Sequence, residues 1–322
     1  MTIRIEARAR LHLGMIDLHG GLGRKFGSIG VVLQHPKVLV EASPSSELII
    51  DGQDQKRAEA FARRFFQRYA LASGAHLRIA ETIPAHVGLG SGTQLALAVG
   101  TAVAKLHNLD VGIPELAELM GRGKWSGIGI GAFRYGGFLV DGGCRIESMR
   151  GKRLSSVPPI IFRCPFPEAW TFVIAIPEAK VGLSGKLEEE AFDSLSPLPP
   201  EYVGKICWLL VMKMLPSLME RDITGFGESL TEIQRLVGDS FAAAQGGRYA
   251  SKLSAEIITY MLQCGVKGAG QSSWGPTVYG LVESEAQAIA LERRVIEFIE
   301  ERGKARVFRA RANNRERNKW RW

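Results

Sequence analysis

An α+β fold is predicted, because strand-like and helix-like stretches are mixed along the chain but segregated rather than strictly alternating. Three observations carry this. Short apolar alternations such as Ile3, Ile5 and Ala7 have the period of strands. Longer stretches space their apolar residues by three and four, as helices do. The 322 residues, 46% hydrophobic and 23% charged, exceed what one compact core holds, so one or two packed domains are expected and a disordered chain is excluded.

Ile3 to Ala7 reads as an opening strand. Val38 and Val40, then Leu48-Ile49-Ile50 before Asp51-Gly52, predict two more strands ending in a turn. From Asp54 to Ala72 a helix is predicted, with Ala58, Phe61, Phe65 and Tyr69 on one face and Lys56, Arg57, Arg63 and Arg64 on others. His76 to Ala80 is a short strand, and Thr93 to Leu106 is rich enough in Ala, Leu and Val for a buried helix. Pro114 opens the next helix, ending near Gly121. Gly136 to Gly143 holds a strand between glycine turns. Four prolines between Ser155 and Pro167 mark a boundary, giving domains at 1–157 and 158–312 and a mobile basic tail at 313–322. The second half should hold a strand from Trp170 to Ile176, three or four helices between Ser184 and Ala244, and a helix from Ala255 to Cys264. A glycine-rich loop, a strand from Thr277 to Val282 and a helix from Glu285 to Arg302 follow. An edge strand from Lys304 to Arg311, with Val307 facing in and arginines blunting the edge, completes it.

The net charge of +8 raises a nucleic-acid reading, but its location weakens it. Eight basic residues against one acid lie from Lys304 to Trp322, leaving 33 basic and 32 acidic residues before position 304. The basicity belongs to a tail. Four separated cysteines with no C-x-x-C pair argue against a disulfide framework or structural zinc, and for reduced thiols in a cytoplasmic protein. The charged opening Met-Thr-Ile-Arg-Ile-Glu lacks the apolar run of a signal peptide. Thr82 to Ala104 carries no charge, yet Pro84, His86, Gln94 and its glycines argue against a membrane span.

The sharpest chemical signal is Pro84-Ala-His-Val-Gly88-Leu89-Gly90-Ser91-Gly92-Thr93 ahead of the Ala/Leu helix. Glycines let a ligand approach the backbone, and the helix N-terminus adds partial positive charge, so a phosphate or diphosphate suits it. A structural turn that packs the helix tightly is the alternative. Neither the Walker pattern nor G-x-G-x-x-G after a strand occurs. Arg24-Lys25 between glycines is either a ligand-facing cationic pair or a solvated turn. His12 and His19 flank Asp17 without a third zinc ligand.

Pro84-x-x-x-Gly88-Leu-Gly-Ser91 resembles the second signature of the GHMP kinase superfamily, and Lys267-Gly-Ala-Gly270-Gln-Ser272-Ser-Trp-Gly275 resembles its third. The resemblance implies a GHMP-type two-domain fold, with an N-terminal βαβ-containing domain followed by a ferredoxin-like C-terminal domain. One departure matters: Ser126-Gly127-Ile128-Gly129 has glycine where many of these kinases have the Asp that deprotonates the substrate hydroxyl. The segments Ala9-Arg10-Leu-His12-Leu-Gly-Met-Ile-Asp17, Gly23 to Gly30, Arg122-Gly-Lys124-Trp-Ser126 and Phe133 to Gly143 resemble the β-ribofuranosylaminobenzene 5′-phosphate synthases of methanopterin biosynthesis. That resemblance implies a homodimeric, Mg2+-dependent enzyme joining 5-phosphoribosyl 1-diphosphate to 4-aminobenzoate with release of CO2 and diphosphate, and no use of ATP.

For such a donor, Gly88, Leu89, Gly90, Ser91, Gly92 and Thr93 are the expected phosphate loop. Arg10, His12, Arg122, Ser126, Lys267, Gly270 and Ser272 are expected binding residues, and Asp17, Arg24, Lys25 and Lys124 catalytic ones. Asp17 is the first choice for the carboxylate that stabilises positive charge at the ribosyl carbon, Asp141 the second, and either is a candidate metal ligand. The rival readings are an ATP-dependent small-molecule kinase or decarboxylating kinase of GHMP type, and an RNA-binding protein acting through the tail, where Phe308, Trp320 and Trp322 interleave with arginine.

Overall fold

The computed structural model describes residues 2–146, 157–178, 186–195 and 197–316. Strand β1 (Ile3–Asp17) and strand β2 (Arg24–Ser45) pair antiparallel from Ile3↔Ala42 to Asp17↔Phe26. The opening strand therefore runs well past Ala7, and the glycine-spaced run 24–30 is strand rather than loop. Strand β3 (Leu48–Gly52) and strand β4 (Gly74–Glu81) pair in parallel with helix α1 (Gln55–Tyr69) between them, a βαβ unit. Helices α2 (Ser91–Leu106), α3 (Ile113–Leu119) and α4 (Ile128–Arg134) follow. Strands β5 (Phe138–Asp141) and β6 (Cys144–Arg145) then return to β2, and β7 (Ile160–Cys164) pairs with β5. The seven strands form one sheet in the order β3-β4-β2-β5-β7, with β1 and β6 also on β2. The change of sheet thus falls at 165–170, after β7, rather than at 157/158.

The second half begins with β8 (Thr171–Pro177) and α5 (Lys186–Ser194). Helix α6 (Pro200–Leu209) continues through a π turn (Leu210–Met214) into α7 (Leu215–Glu220). Then come α8 (Ile223–Gln245), α9 (Lys252–Gln263), β9 (Gly268–Gln271), β10 (Val278–Val282), α10 (Glu285–Glu300) and β11 (Ala305–Arg311). The strand order β11-β8-β10-β9, antiparallel throughout, is that of a ferredoxin-like sheet.

Every residue from Gln94 to Ala104 is buried, so the uncharged run ending at Ala104 is a core helix lying on β1 and β2. Helix α8 joins the two sheets. A Cβ at Gly14 of β1 would lie 2.9 Å from Ile233, and one at Gly227 would lie 2.0 Å from the Lys267 carbonyl oxygen beside β9. That contact explains why β9, read as a loop, is a strand built from Gly-Ala-Gly-Gln. Larger side chains would push α8 away.

The edge strand shares its charges with α10, and the first residues of the stretch read as a mobile tail, Asn313 and Asn314, are hydrogen-bonded. Arg309 pairs with Glu285 and Glu292, and Arg311 with Glu285, so acids of α10 take up these charges. The Asn313 N–H donates to the Val32 carbonyl at 2.7 Å, and the Asn314 side chain makes two bonds to the Phe166 backbone. Residues 317–322, with Trp320 and Trp322, lie outside the described residues, as do Ser184 and Gly185.

Candidate active site

Gly88 (φ +89°) and Gly90 (φ +83°) turn the chain into α2 in the left-handed region, where glycine is strongly preferred. Strand β1 and the third glycine motif hold this loop. The Arg10 N–H donates to the Leu89 carbonyl at 3.2 Å, and Arg10 Nη1 donates to the Gly88 carbonyl. Ser272 Oγ donates to the same carbonyl at 2.7 Å while accepting from the His12 N–H at 2.9 Å. Ser272 is thus a buried clasp with its hydroxyl committed to backbone. A Cβ at Gly88 would lie 2.3 Å from the Ser272 carbonyl oxygen. Gly88→Ala is therefore expected to lower stability by about 2–3 kcal/mol and to loosen the loop, read as a fall in melting temperature together with weaker diphosphate binding.

Two cavities meet at this loop. One, of about 340 Å³, is lined by the loop, Arg10, Arg57, His86 and Arg122. The other, of about 360 Å³, reaches Arg64, Lys124, Ser126 and Glu189. Arg10, Thr93, Arg122, Glu188 and Ser273 line both. Arg122 lies over the Phe61 ring at 5.1 Å, and its Nη1 would be 3.2 Å from a Cβ at Gly92. Burial lowers the pKa of Arg10 to about 10 and also lowers that of Arg122, which the nearby Arg57 depresses further. The Nε atoms of both arginines are buried and have no hydrogen-bond partner among the described residues. Concentrated, partly desolvated guanidinium groups beside a helix N-terminus are a strong anion site.

Glu188 of α5 is the carboxylate at the junction. Burial pushes its pKa up to about 7, against the pull of Arg10 and Arg122, and the Trp274 side chain hydrogen-bonds to it. Lys124 pairs with Glu189 at the wall of the second cavity. At Gly129 a Cβ would meet Thr93 Cγ2 at 3.2 Å and Oγ1 at 3.4 Å, and the Gly129 carbonyl accepts from Gln94 Nε2 at 2.7 Å. Thr93 leaves only a tight fit for a side chain at 129, and glycine itself supplies no proton acceptor there.

Several expected residues lie elsewhere. Asp17 Oδ1 accepts from the His19 and Gly20 N–H groups at 2.7 and 2.8 Å, capping the β1–β2 hairpin. Arg24 donates to the Gly142 and Gly143 carbonyls at 2.6 and 2.7 Å, and Lys25 lies over the Phe26 ring at 5.6 Å. These three residues line neither cavity; Phe26 beside them packs at 5.2 Å on Trp125, which lines the second one. Asp141 is fully buried, accepting from the Gly127 and Gly143 N–H groups at 2.8 and 2.9 Å, and burial raises its pKa to about 6. With both oxygens taken, it braces the start of α4 and is not placed as a metal ligand. Lys267 is exposed, and Gly270 packs against Gln234 of α8. Arg10, His12, Gly88 to Thr93 (Leu89 excepted), Arg122, Lys124 and Ser126 do reach the cleft.

The residues that sequence reasoning missed are Glu188, Arg57 and Trp274; Ser273, beside Ser272, reads as either a phosphate-binding or a turn-closing residue, and it lines both cavities. Arg57 reads as one more charge on an amphipathic helix, and Glu188 sits in a Glu-Glu-Glu run that looks like a solvated face. Neither carries a local signal.

Among the described residues no group of three His, Cys, Asp or Glu side chains could hold a metal ion. The donor set fits only an ion carried in on a diphosphate, with the Ser91 and Thr93 hydroxyls the protein groups at hand.

Comparison with known proteins agrees with this architecture. The GHMP kinases N terminal domain matches residues 56–137, and the GHMP kinases C terminal domain matches residues 214–301. A protein of Archaeoglobus fulgidus named beta-ribofuranosylphenol 5'-phosphate synthase is 36% identical over 97% of this chain and 98% of its own length. A protein of the same name from Methanothermobacter thermautotrophicus is 36% identical over 89% of this chain and 90% of its own. Among solved structures, homoserine kinase from Cytophaga hutchinsonii superposes with a TM-score of 0.65 at 16% identity, covering 98% of this chain and 96% of its own. A mevalonate kinase gives a TM-score of 0.67 at 16% identity, covering 97% and 100%.

Proposed function

The chain belongs to the GHMP kinase superfamily, and from that premise we propose that it is a synthase rather than a kinase. It joins 5-phosphoribosyl 1-diphosphate to a 4-substituted benzoate, releasing CO2 and diphosphate, to make the β-ribofuranosylated aromatic 5′-phosphate. The acceptor expected from the sequence is 4-aminobenzoate. The phenol in the name of the 36%-identical relatives makes 4-hydroxybenzoate the second acceptor to supply.

The observation that carries this reading is the junction of two cation-lined cavities at Glu188, with a glycine rather than a base at position 129. The diphosphate takes the loop cavity, where the N–H groups at the start of α2 and the Arg57 and Arg122 guanidinium groups neutralise it. The 5′-phosphate takes the second cavity, beside Arg64 and Lys124. Arg10 holds the loop to β1 and adds its charge from below. Glu188 faces the ribosyl carbon between them, where positive charge develops as diphosphate leaves with the electron pair of the C–O bond. The acceptor ring carbon that bears the carboxylate forms the new C–C bond, helped by the lone pair of the para substituent. The C–CO2 bond then breaks and its electron pair restores the aromatic ring. When bound, Mg2+ would offset charge on the departing diphosphate.

The decisive experiment supplies phosphoribosyl diphosphate, Mg2+ and carboxyl-labelled 4-hydroxybenzoate or 4-aminobenzoate to the pure protein. Labelled CO2 and a coupled product are expected with at least one acceptor. No CO2 with either, together with ATP consumption on a panel of metabolite alcohols, would leave the kinase reading in its place. The four cysteines carry unbridged thiols, which suits the reducing cytoplasm proposed for this enzyme.

We also propose the homodimer. Trp208, Val211, Met212 and Met219 are exposed along the α6–α7 run, which residue for residue is long and apolar enough to span a membrane yet packs on α8. Trp208→Glu is expected to convert the dimer to a monomer in sedimentation. An unchanged mass would place the subunit contact elsewhere.

A further inference from the structure

Arg57 reaches the phosphate loop with half of its guanidinium fork already taken. Nη1 donates at 2.8 Å to Oδ2 of Asp54, the residue that caps the start of α1, while Nη2 lies 3.3 Å from where a Cβ at Gly92 would stand. The Arg122 guanidinium group meets the same point, with Nη1 at 3.2 Å. Burial and then the charge of Arg57 lower the Arg122 pKa, so the two cations repel each other over one glycine. A long, half-buried side chain near the start of a helix is free to swing away from such a neighbour into water unless something holds it. Asp54 is built to hold it. A capping Asp ordinarily has an extended backbone, and its carboxylate accepts from one of the first helix N–H groups. Asp54 instead has φ +53° and ψ +35°, in the left-handed region, and its side chain caps no helix N–H. Its carboxylate goes to Arg57. Arg57 lines the loop cavity and Asp54 does not.

We propose that Asp54 is a positioning residue for the diphosphate site: by holding Nη1 it fixes the Arg57 guanidinium plane so that Nη2 stays over Gly92, ready to donate to a ligand oxygen. The proposal deepens the functional reading above and rests on the diphosphate lying at the loop. Three features support it. A planar fork serves a carboxylate with one nitrogen and an anion with the other, in fixed directions, which a lysine ammonium group does not. A cation held in place beforehand loses less freedom when the ligand arrives, so more of its attraction appears as affinity. Finally, the carboxylate offsets the repulsion between Arg57 and Arg122 from outside the cavity lining, where its own charge does not confront the ligand directly. The left-handed backbone at Asp54 is strain of the kind that functional positions retain.

The test is a double-mutant cycle read as binding of inorganic diphosphate, with Mg2+ present, by calorimetry. Asp54→Asn keeps the size of the side chain, and asparagine tolerates the left-handed backbone as well as aspartate does, so the start of α1 is left undisturbed. It is expected to weaken binding about fivefold, and Arg57→Ala about tenfold. The double variant should bind no more weakly than Arg57→Ala alone, because Asp54 acts only through Arg57. Losses that multiply, to about fiftyfold in the double variant, overturn the proposal. So does binding in Asp54→Asn that is unchanged or tighter. A merely structural role for Asp54 would show as a lower melting temperature and as weaker binding whether or not Arg57 is present. Should Arg57→Ala fail to fold, Arg57→Gln takes its place in the cycle and reads the same coupling. Labelled CO2 release by the wild-type protein separates the two claims. The expected coupling without CO2 would overturn the synthase reading while the role of Asp54 stands. CO2 release with multiplying losses would overturn the role of Asp54 alone, and a wild-type protein that binds no diphosphate would overturn both.

Discussion

Glu188→Gln is expected to reduce turnover by about a hundredfold or more while leaving phosphoribosyl diphosphate affinity within a few fold. The neutral amide keeps the shape of the side chain and removes the charge that opposes the cation forming at the ribosyl carbon. Stability should hold or rise, because an ionised carboxylate that burial disfavours has been replaced. The pH profile adds a second check. Only ionised Glu188 stabilises the cation, so the wild-type rate should rise through about pH 7 and level off, and this limb should vanish in the variant. The stability slope runs the other way. The folded pKa lies above the ordinary value of 4.5, so between 4.5 and about 7 the folded state binds more protons than the unfolded one, and wild-type stability falls as pH rises. Glutamine removes that slope. Wild-type turnover in the variant would move the catalytic carboxylate elsewhere.

Arg122→Ala is expected to weaken binding of inorganic diphosphate by about 10- to 100-fold, measured by calorimetry at fixed ionic strength. Its guanidinium group lies at the edge of Gly92, lines both cavities and has a buried Nε without a partner among the described residues. The melting temperature should change little. Contact with the Phe61 ring is lost, but so is repulsion from Arg57, which lowers the Arg122 pKa. Arg122→Lys should restore part of the affinity, because it returns the charge without the planar fork. Unchanged affinity in Arg122→Ala would show that the diphosphate sits elsewhere.

Much of the site is legible where its signal is local. Gly88, Gly90 and Ser91 stand together because one tight turn into one helix needs them, and Arg122, Lys124 and Ser126 follow one another along a single wall. Arg10 and His12 are readable too, since alternate residues of β1 face the same side. Asp17 and the Arg24-Lys25 pair show the limit of such reasoning. They are charged residues between glycines, yet the hairpin uses Asp17 and Arg24 to satisfy its own backbone, and a sequence does not tell a committed charge from an available one. Lys267 and Gly270 belong to a recognisable motif, but that stretch serves the packing of β9 on α8; the clasp at Ser272 and the turn at Ser273 and Trp274 are what reach the loop.

By itself the sequence determined the α+β class, and the resemblance of its glycine motifs implied the βαβ unit, the ferredoxin-like second half and the glycine at 129 where related kinases carry a base. Each of these is written in neighbouring residues, through side-chain period, turn chemistry or a glycine-rich motif. Only the tertiary structure decided that Glu188 lies at the junction of two cavities, that Arg57 and Arg122 converge over Gly92, and that Trp274 hydrogen-bonds to Glu188. These residues come from segments far apart in the chain. Packing of α1 and α3 on α2 brings Arg57 and Arg122 together, and no local pattern records which distant side chains such packing will align.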